Sequence, residues 1–166
     1  MSLITCSPGN ELYSIFGHSA IRVQDTSTNT DLIFNYGMFD FSEPNFYWKF
    51  VKGKLQYMLA IQDMDSFLRS YAREGRMVKE EKFYLTPQEK DRMLQFLFDN
   101  YQPENRYYLY DFLFNNCSTK IWDVLHAHVS DSLKADSAIY HGISFREMLA
   151  PYLKTAPWSK LGIDLL

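Results

Sequence analysis

Two short β-type runs joined by a polar bridge constrain the fold of this chain most strongly. His18-Ser-Ala-Ile-Arg-Val23 and Leu32-Ile-Phe-Asn-Tyr36 read as strands, and the polar Gln24-Asp-Thr-Ser-Thr-Asn-Thr-Asp31 between them reads as a hairpin loop. Leu55 to Gln62 and Arg76 to Leu85 read as further strands. Helices are interleaved with them. Ser42-Glu-Pro44 predicts a cap with Pro at the first turn, followed by a short helix carrying Phe46, Tyr47 and Phe50 and ending at Gly53. Asp65 or Ser66 opens a helix with Phe67, Leu68 and Tyr71 on one face, closing near Gly75. Thr86-Pro-Gln-Glu89 is a capping box, and Met93, Leu94, Leu97 and Phe98 follow at helical spacing. Asn105 to Phe114 is an aromatic segment ending at Asn115-Asn116. From Cys117 the pattern turns helical, with Ile121, Val124 and Leu125 on one face, and a short helix spans Phe145 to Leu149 before Pro151. Helices and antiparallel strands alternate without a βαβ rhythm, so the expected class is α+β.

The chain has 166 residues, the size of one domain, with no internal repeat and no linker to divide it. Aromatic content is 17%, which excludes the composition of disorder. A net charge of −3 provides no field for non-specific nucleic-acid binding. No apolar run approaches the roughly 18 residues of a transmembrane helix. The two cysteines, Cys6 and Cys117, exclude a disulfide scaffold and leave one bridge open; His18, His126, His128 and His141 form no metal-binding spacing. No cofactor is implied. Met1 to Gly9 lacks a basic, apolar signal-peptide pattern, although Leu3-Ile-Thr-Cys6 faintly resembles a lipoprotein cleavage site. The C-terminus, Leu161-Gly-Ile-Asp-Leu-Leu166, stops inside an apolar stretch and reads as a cut chain.

Chemistry concentrates in two places. Tyr110-Asp-Phe-Leu-Phe-Asn-Asn-Cys117-Ser-Thr-Lys-Ile-Trp-Asp123 puts a cysteine where an irregular segment becomes a helix. A helix N-terminus carries unpaired N–H groups and partial positive charge, which stabilise a thiolate and can hold an acyl oxyanion. Phe16-Gly17-His18 starts a strand with a histidine directly after a glycine, which permits close approach of another backbone or a substrate. A thiol nucleophile needs a base, and the base needs a group that fixes its tautomer. Asn35, on the adjacent strand, can lie beside His18 on one face.

A Gly-His strand start, a polar residue on the next strand and Asn116-Cys117 opening a helix resemble the permuted NlpC/P60 proteins. These are papain-like thiol enzymes in which histidine precedes cysteine, the lecithin:retinol acyltransferase-like group among them. Asn35 stands where many of them carry a second histidine; Asn is the orienting residue of papain. Leu3-Ile-Thr-Cys-Ser-Pro-Gly9, Tyr13-Ser-Ile-Phe-Gly-His-Ser-Ala-Ile-Arg-Val23, Phe34-Asn-Tyr-Gly37, Pro44-Asn-Phe-Tyr-Trp-Lys-Phe50 and Phe114-Asn-Asn-Cys-Ser-Thr119 resemble the DUF4105 family, also called the Lnb N-terminal periplasmic domain. The resemblance covers nearly the whole chain. It implies one papain-like domain over residues 1–166, an antiparallel sheet or half-barrel packed on helices. It further implies a periplasmic location in a longer, membrane-tethered protein, and lipoprotein N-acylation, with a phospholipid as acyl donor and a lipoprotein N-terminus as acceptor.

The roles that follow are Cys117 as nucleophile, His18 as base and Asn35 as its orienting partner. Asn116, Tyr110 and Asp111 are candidates for oxyanion or orienting roles, with the Cys117 N–H as backbone donor. Asp111 and Asp123 also read as structural acceptors, Tyr110 as core, His126 and His128 as solvated residues and His141-Gly142 as a turn. Cys6 reads as a buried or turn residue before Pro8-Gly9. Phe46-Tyr-Trp-Lys-Phe50 is either core or a membrane-surface contact. One rival is a peptidase of the same fold acting on peptidoglycan peptides, which would use a polar, open groove. The other is a non-catalytic binding module, marked by a Cys117 thiol locked away from His18.

Overall fold

The computed structural model describes residues 1–11, 13–39, 44–45, 48–49, 54–129, 142–154, 157 and 160–161. Six strands form one antiparallel sheet in the order β5-β1-β2-β3-β4-β6. They are β1 (Ser2–Cys6), β2 (His18–Asp25), β3 (Thr30–Met38), β4 (Gln56–Asp63), β5 (Val78–Lys82) and β6 (Tyr107–Leu109). Four α-helices are described: α1 (Met64–Arg73), α2 (Pro87–Tyr101), α3 (Cys117–His128) and α4 (Phe145–Leu149), the last running into a 3-10 turn, Ala150–Leu153. The class is α+β, as the interleaving of elements predicts. Among the described residues no helix is long and apolar enough to cross a membrane.

The strands alternate, so each face of the sheet has its own core. On one face Ile21, Val23, Phe34, Tyr36 and Leu59 meet Met93 and Leu97 of α2 and Ile121, Val124 and Leu125 of α3. On the other, Ile4, Cys6, Ala20 and Ile33 meet Met64 and Phe67 of α1. Each fully buried Leu, Ile or Phe contributes about 1.5–3 kcal/mol relative to exposure, so these two layers hold the helices where the site needs them. The Thr86–Glu89 capping box is present, with Glu89 N donating to Thr86 Oγ1 (3.3 Å) and Thr86 N to Glu89 Oε2 (2.8 Å). Arg22 crosses the sheet surface to Asp31 (2.7 and 2.6 Å) and Glu80 (2.8 Å), and Glu80 accepts from Ser2 (2.6 Å), linking β5, β1, β2 and β3.

Several boundaries differ from the sequence reading. The N-terminal segment is a strand, β1, paired on both sides, with Cys6 opposite His18 on β2 and Val78 on β5. Its five residues alternate buried and less buried positions, a signal too short to stand out before Pro8-Gly9. Helix α1 is capped by Asp63, whose side chain accepts from Ser66 N at 2.8 Å, rather than by Asp65 or Ser66. Its buried residues are Met64 and Phe67, whereas Leu68 is 39% exposed. Strand β5 is shorter than Arg76–Leu85, and its Val-Lys-Glu-Glu-Lys sequence gives the sheet a charged edge that resists pairing with other chains. The expected helix of residues 42–53 lies largely outside the described residues, as does His141.

Candidate active site

The site forms where the β2–β3 ladder comes apart. The two strands pair from Ile21↔Phe34 to Asp25↔Thr30, yet β2 starts at His18 and β3 continues to Met38. The far ends therefore fork. Gly37 lies in the fork at φ +87°, within the register shift that β3 shows against β4 between Asn35 and Met38. A Cβ on Gly37 would lie 3.6 Å from Cys117 Cβ. The N-terminus of α3 thus points into the fork, and Cys117 is its first residue.

His18 is placed by its neighbours on both sides. Behind it, Gly17 has φ +81°, and a Cβ there would sit 2.6 Å from the Cys6 carbonyl oxygen. The close approach expected of this glycine is therefore to the backbone of β1. Ahead, His18 Nε2 is 3.0 Å from Asn35 Oδ1, and Asn35 Nδ2 donates to Gln62 Oε1 at 3.1 Å. With its amide nitrogen committed to Gln62, Asn35 presents its oxygen to His18. Nε2 then carries the hydrogen, and Nδ1 keeps a lone pair for the thiol. Asn35 is only 2% exposed, so this orientation is fixed by packing as well as by hydrogen bonds. Gln62 does not stand out in the sequence. Its one signal is its place on a strand next to Asn35, two positions along from direct pairing.

Cys117 is half-buried and a free thiol. Burial pushes its pKa up, but the hydrogen bond and charge of His18, the Ser19 backbone N–H and the Ser118 side chain together outweigh this and bring it down to about 7. Ser19 lies beyond the last β2–β3 pair, and its N–H is one of the groups that favour the thiolate. Ser118 Oγ lies 4.0 Å from the sulfur and 3.2 Å from Ser19 Oγ. Cys6 is the opposite case. It is also a free thiol, is 2% exposed among apolar residues, and is pushed up to about 11 by burial.

The other candidates divide between site and scaffold. Asn116 caps α3: its Oδ1 accepts from Ser118 N (2.9 Å) and Thr119 N (3.0 Å), and its Nδ2 donates to the Phe112 carbonyl (2.9 Å). The expected oxyanion role thus meets an amide held in place as a cap, with no described group accepting the Cys117 N–H. Asp111 accepts from Leu113 N (2.9 Å) and Phe114 N (2.8 Å), and so shapes the turn ahead of Asn116. Tyr110 stacks on Tyr57 at 4.3 Å, and its hydroxyl is held protonated by burial and then by the nearby Cys117 charge. Asp123 lies on α3, and His126 and His128 lie in its last turn. Aromatic rings flank the site: Phe16, just before Gly17, packs on Phe112 (4.8 Å) and Tyr152 (6.0 Å). Phe114 packs on Phe145 (6.2 Å), and these two rings are 70% and 54% exposed.

No curated protein and no solved structure matches this chain. A family model described as the Lnb N-terminal periplasmic domain matches residues 1–151, which takes in both strands of the fork, the cysteine helix and the turn before it. The chain that carries this cysteine–histidine–asparagine arrangement belongs to the family of Lnb N-terminal periplasmic domains.

Proposed function

We propose that this domain is a cysteine-dependent acyl-transfer enzyme. The observation that carries the reading is the relay from Cys117 to His18 to Asn35, with the thiol brought down to about 7. At neutral pH a large fraction of Cys117 is then thiolate, the form that attacks carbonyl carbon. In the first half-reaction the sulfur attacks an ester or amide carbonyl, the leaving group takes a proton from His18, and a thioester remains on Cys117. In the second, an amine or water attacks the thioester, and His18 accepts the proton. Asn35 keeps the imidazole in the required tautomer throughout.

The acyl donor we favour is a phospholipid and the acceptor a lipoprotein N-terminal amine, with the protein acting at a membrane surface. The exposed Phe114 and Phe145 rings and the Phe16–Phe112–Tyr152 cluster support an apolar substrate over a polar stem peptide. Phe114 stands three residues before Cys117 and Phe16 two before His18, so these rings adjoin the site residues along the chain. The papain-like, permuted NlpC/P60 relationship belongs to the same proposal and is supported by the order His18, Asn35, Cys117 along the chain.

Two measurements test this. Iodoacetamide should alkylate Cys117 with half-maximal rate at about pH 7, while Cys6, buried and pushed up to about 11, stays unmodified until the protein unfolds. Incubation with vesicles of a phospholipid carrying an alkyne-tagged acyl chain should then leave a hydroxylamine-labile tag on Cys117 and none on a Cys117→Ala variant. Cleavage of stem peptides with no tag from lipid would transfer the assignment to the peptidase. Equal reactivity of the two cysteines across pH 5–9 would remove the enzyme reading altogether.

A further inference from the structure

Thioester chemistry passes through a tetrahedral intermediate whose oxygen needs about two hydrogen-bond donors. In the first turn of α3, Asn116 Oδ1 already accepts from Ser118 N and Thr119 N, which leaves the Cys117 N–H as the backbone donor. A second donor has to come from elsewhere. Strand β6 supplies a group with no other evident use. Tyr107 and Tyr108 are adjacent, and alternation turns Tyr108 inward while Tyr107 is exposed. The Tyr108 hydroxyl is fully buried and has no hydrogen-bond partner among the described residues. An unsatisfied buried hydroxyl is destabilising, and a fold does not carry one without cause. It lies 4.0 Å from the point where a Gly37 Cβ would stand, the same point that is 3.6 Å from Cys117 Cβ. A side chain at Gly37 would therefore touch Cys117 Cβ on one side and the Tyr108 hydroxyl on the other, and glycine leaves that place free. No described group accepts the hydroxyl's hydrogen.

We propose that Tyr108 is a catalytic residue: its hydroxyl donates the second hydrogen bond to the oxyanion formed at Cys117, opposite the Cys117 N–H. This rests on the acyl-transfer reading above. When the sulfur attacks the acyl carbon, the carbonyl π pair moves onto oxygen. Tyr108 stabilises that charge without giving up its proton, and the pair returns as the leaving group departs with a proton from His18. Burial, and then the Cys117 charge, hold the phenol protonated far above neutral pH, so it remains a donor throughout. Lys120, one turn along α3, sits with its Nζ 4.8 Å from the centre of the Tyr108 ring; a cation over the ring strengthens the phenol as a donor. Tyr36 packs edge-on against the same ring at 6.3 Å and fixes its position.

Tyr108→Phe removes the hydroxyl and keeps the ring. The test follows acylation of Cys117 by a p-nitrophenyl ester, with the pH profile of iodoacetamide alkylation and Tm measured on the same samples. The expected result is a 10²- to 10³-fold lower acylation rate, with the alkylation midpoint unmoved and Tm equal to or above the parent. Alkylation has no oxyanion, so it isolates the thiol. An acylation rate within threefold of the parent overturns the proposal. So does a lower rate accompanied by a shifted alkylation midpoint, which would make Tyr108 a modulator of the thiol. If the parent protein is alkylated at neutral pH but never acylated, the acyl-transfer reading fails and takes this donor with it.

Discussion

His18→Ala should lose 10²- to 10⁴-fold in acyl transfer, the range for a general base positioned at the reacting group. The loss has a visible cause in the thiol. Burial alone raises the pKa of Cys117, and the His18 hydrogen bond and charge are the largest opposing influences. Without the imidazole, the thiol should titrate near or above its ordinary value of 9.0, and the alkylation midpoint should move up from about 7. Rates at pH 7 then fall because little thiolate remains, and rates at high pH recover for alkylation but not for acyl transfer, which still lacks its proton donor. An unchanged midpoint in His18→Ala would show that the helix terminus and Ser19 hold the thiolate by themselves, and would falsify the relay.

Gly17→Ala should be the most damaging small substitution near the site, although it touches no substrate. A Cβ there would stand 2.6 Å from the Cys6 carbonyl oxygen, a backbone atom that cannot swing away. The backbone at φ +81° adds about 1–2 kcal/mol for any residue with a Cβ. Relief requires the end of β1 to part from β2 at the Cys6↔His18 pair, which displaces the imidazole. Tm should fall by about 5–10 °C, since each kcal/mol is worth about 2–4 °C in a domain of this size. Acyl transfer should fall about 10²-fold with a displacement near 1 Å. Gly75→Ala is the control, because Gly75 has φ +65° and nothing lies within 4 Å of where its Cβ would stand. It incurs the backbone cost alone, so an equal loss of Tm in the two variants would eliminate the clash argument.

Much of this architecture is legible in the residues themselves. The β2–β3 hairpin, β4, the Thr86 capping box and the apolar face of α3 follow from local chemistry, because each is encoded within a few adjacent residues. Ile121, Val124 and Leu125 are the buried residues of α3 that helical spacing selects. What is not legible is set by distant partners. Strand β1 is a strand because β5, far along the chain, completes its other side. Asp63 caps α1 from the last position of β4, where the strand pattern conceals it. At the site, His18, Asn35 and Cys117 stand out by residue type, and the fold brings them together. Gln62 and Tyr108 do not stand out. One is a polar residue among strand residues, the other a tyrosine in a run of aromatics, and each acquires its role from a neighbour on a different element. Asn116 shows the converse: its amide suggests chemistry, and the local geometry uses it for capping.

The forked hairpin gives the chain a spectroscopic reporter of its own chemistry. The Ser19 amide lies beyond the β2–β3 ladder and is one of the groups that favour the Cys117 thiolate. A strong acceptor there slows exchange of that amide proton with solvent and shifts its resonance downfield. Acylation or alkylation of Cys117 converts the acceptor to a neutral, weak one, so the Ser19 proton should exchange faster and move upfield while the paired amides of Ile21 and Val23 stay put. The state of the thiol can then be read in real time from a single backbone resonance, with no label on the substrate and no turnover required.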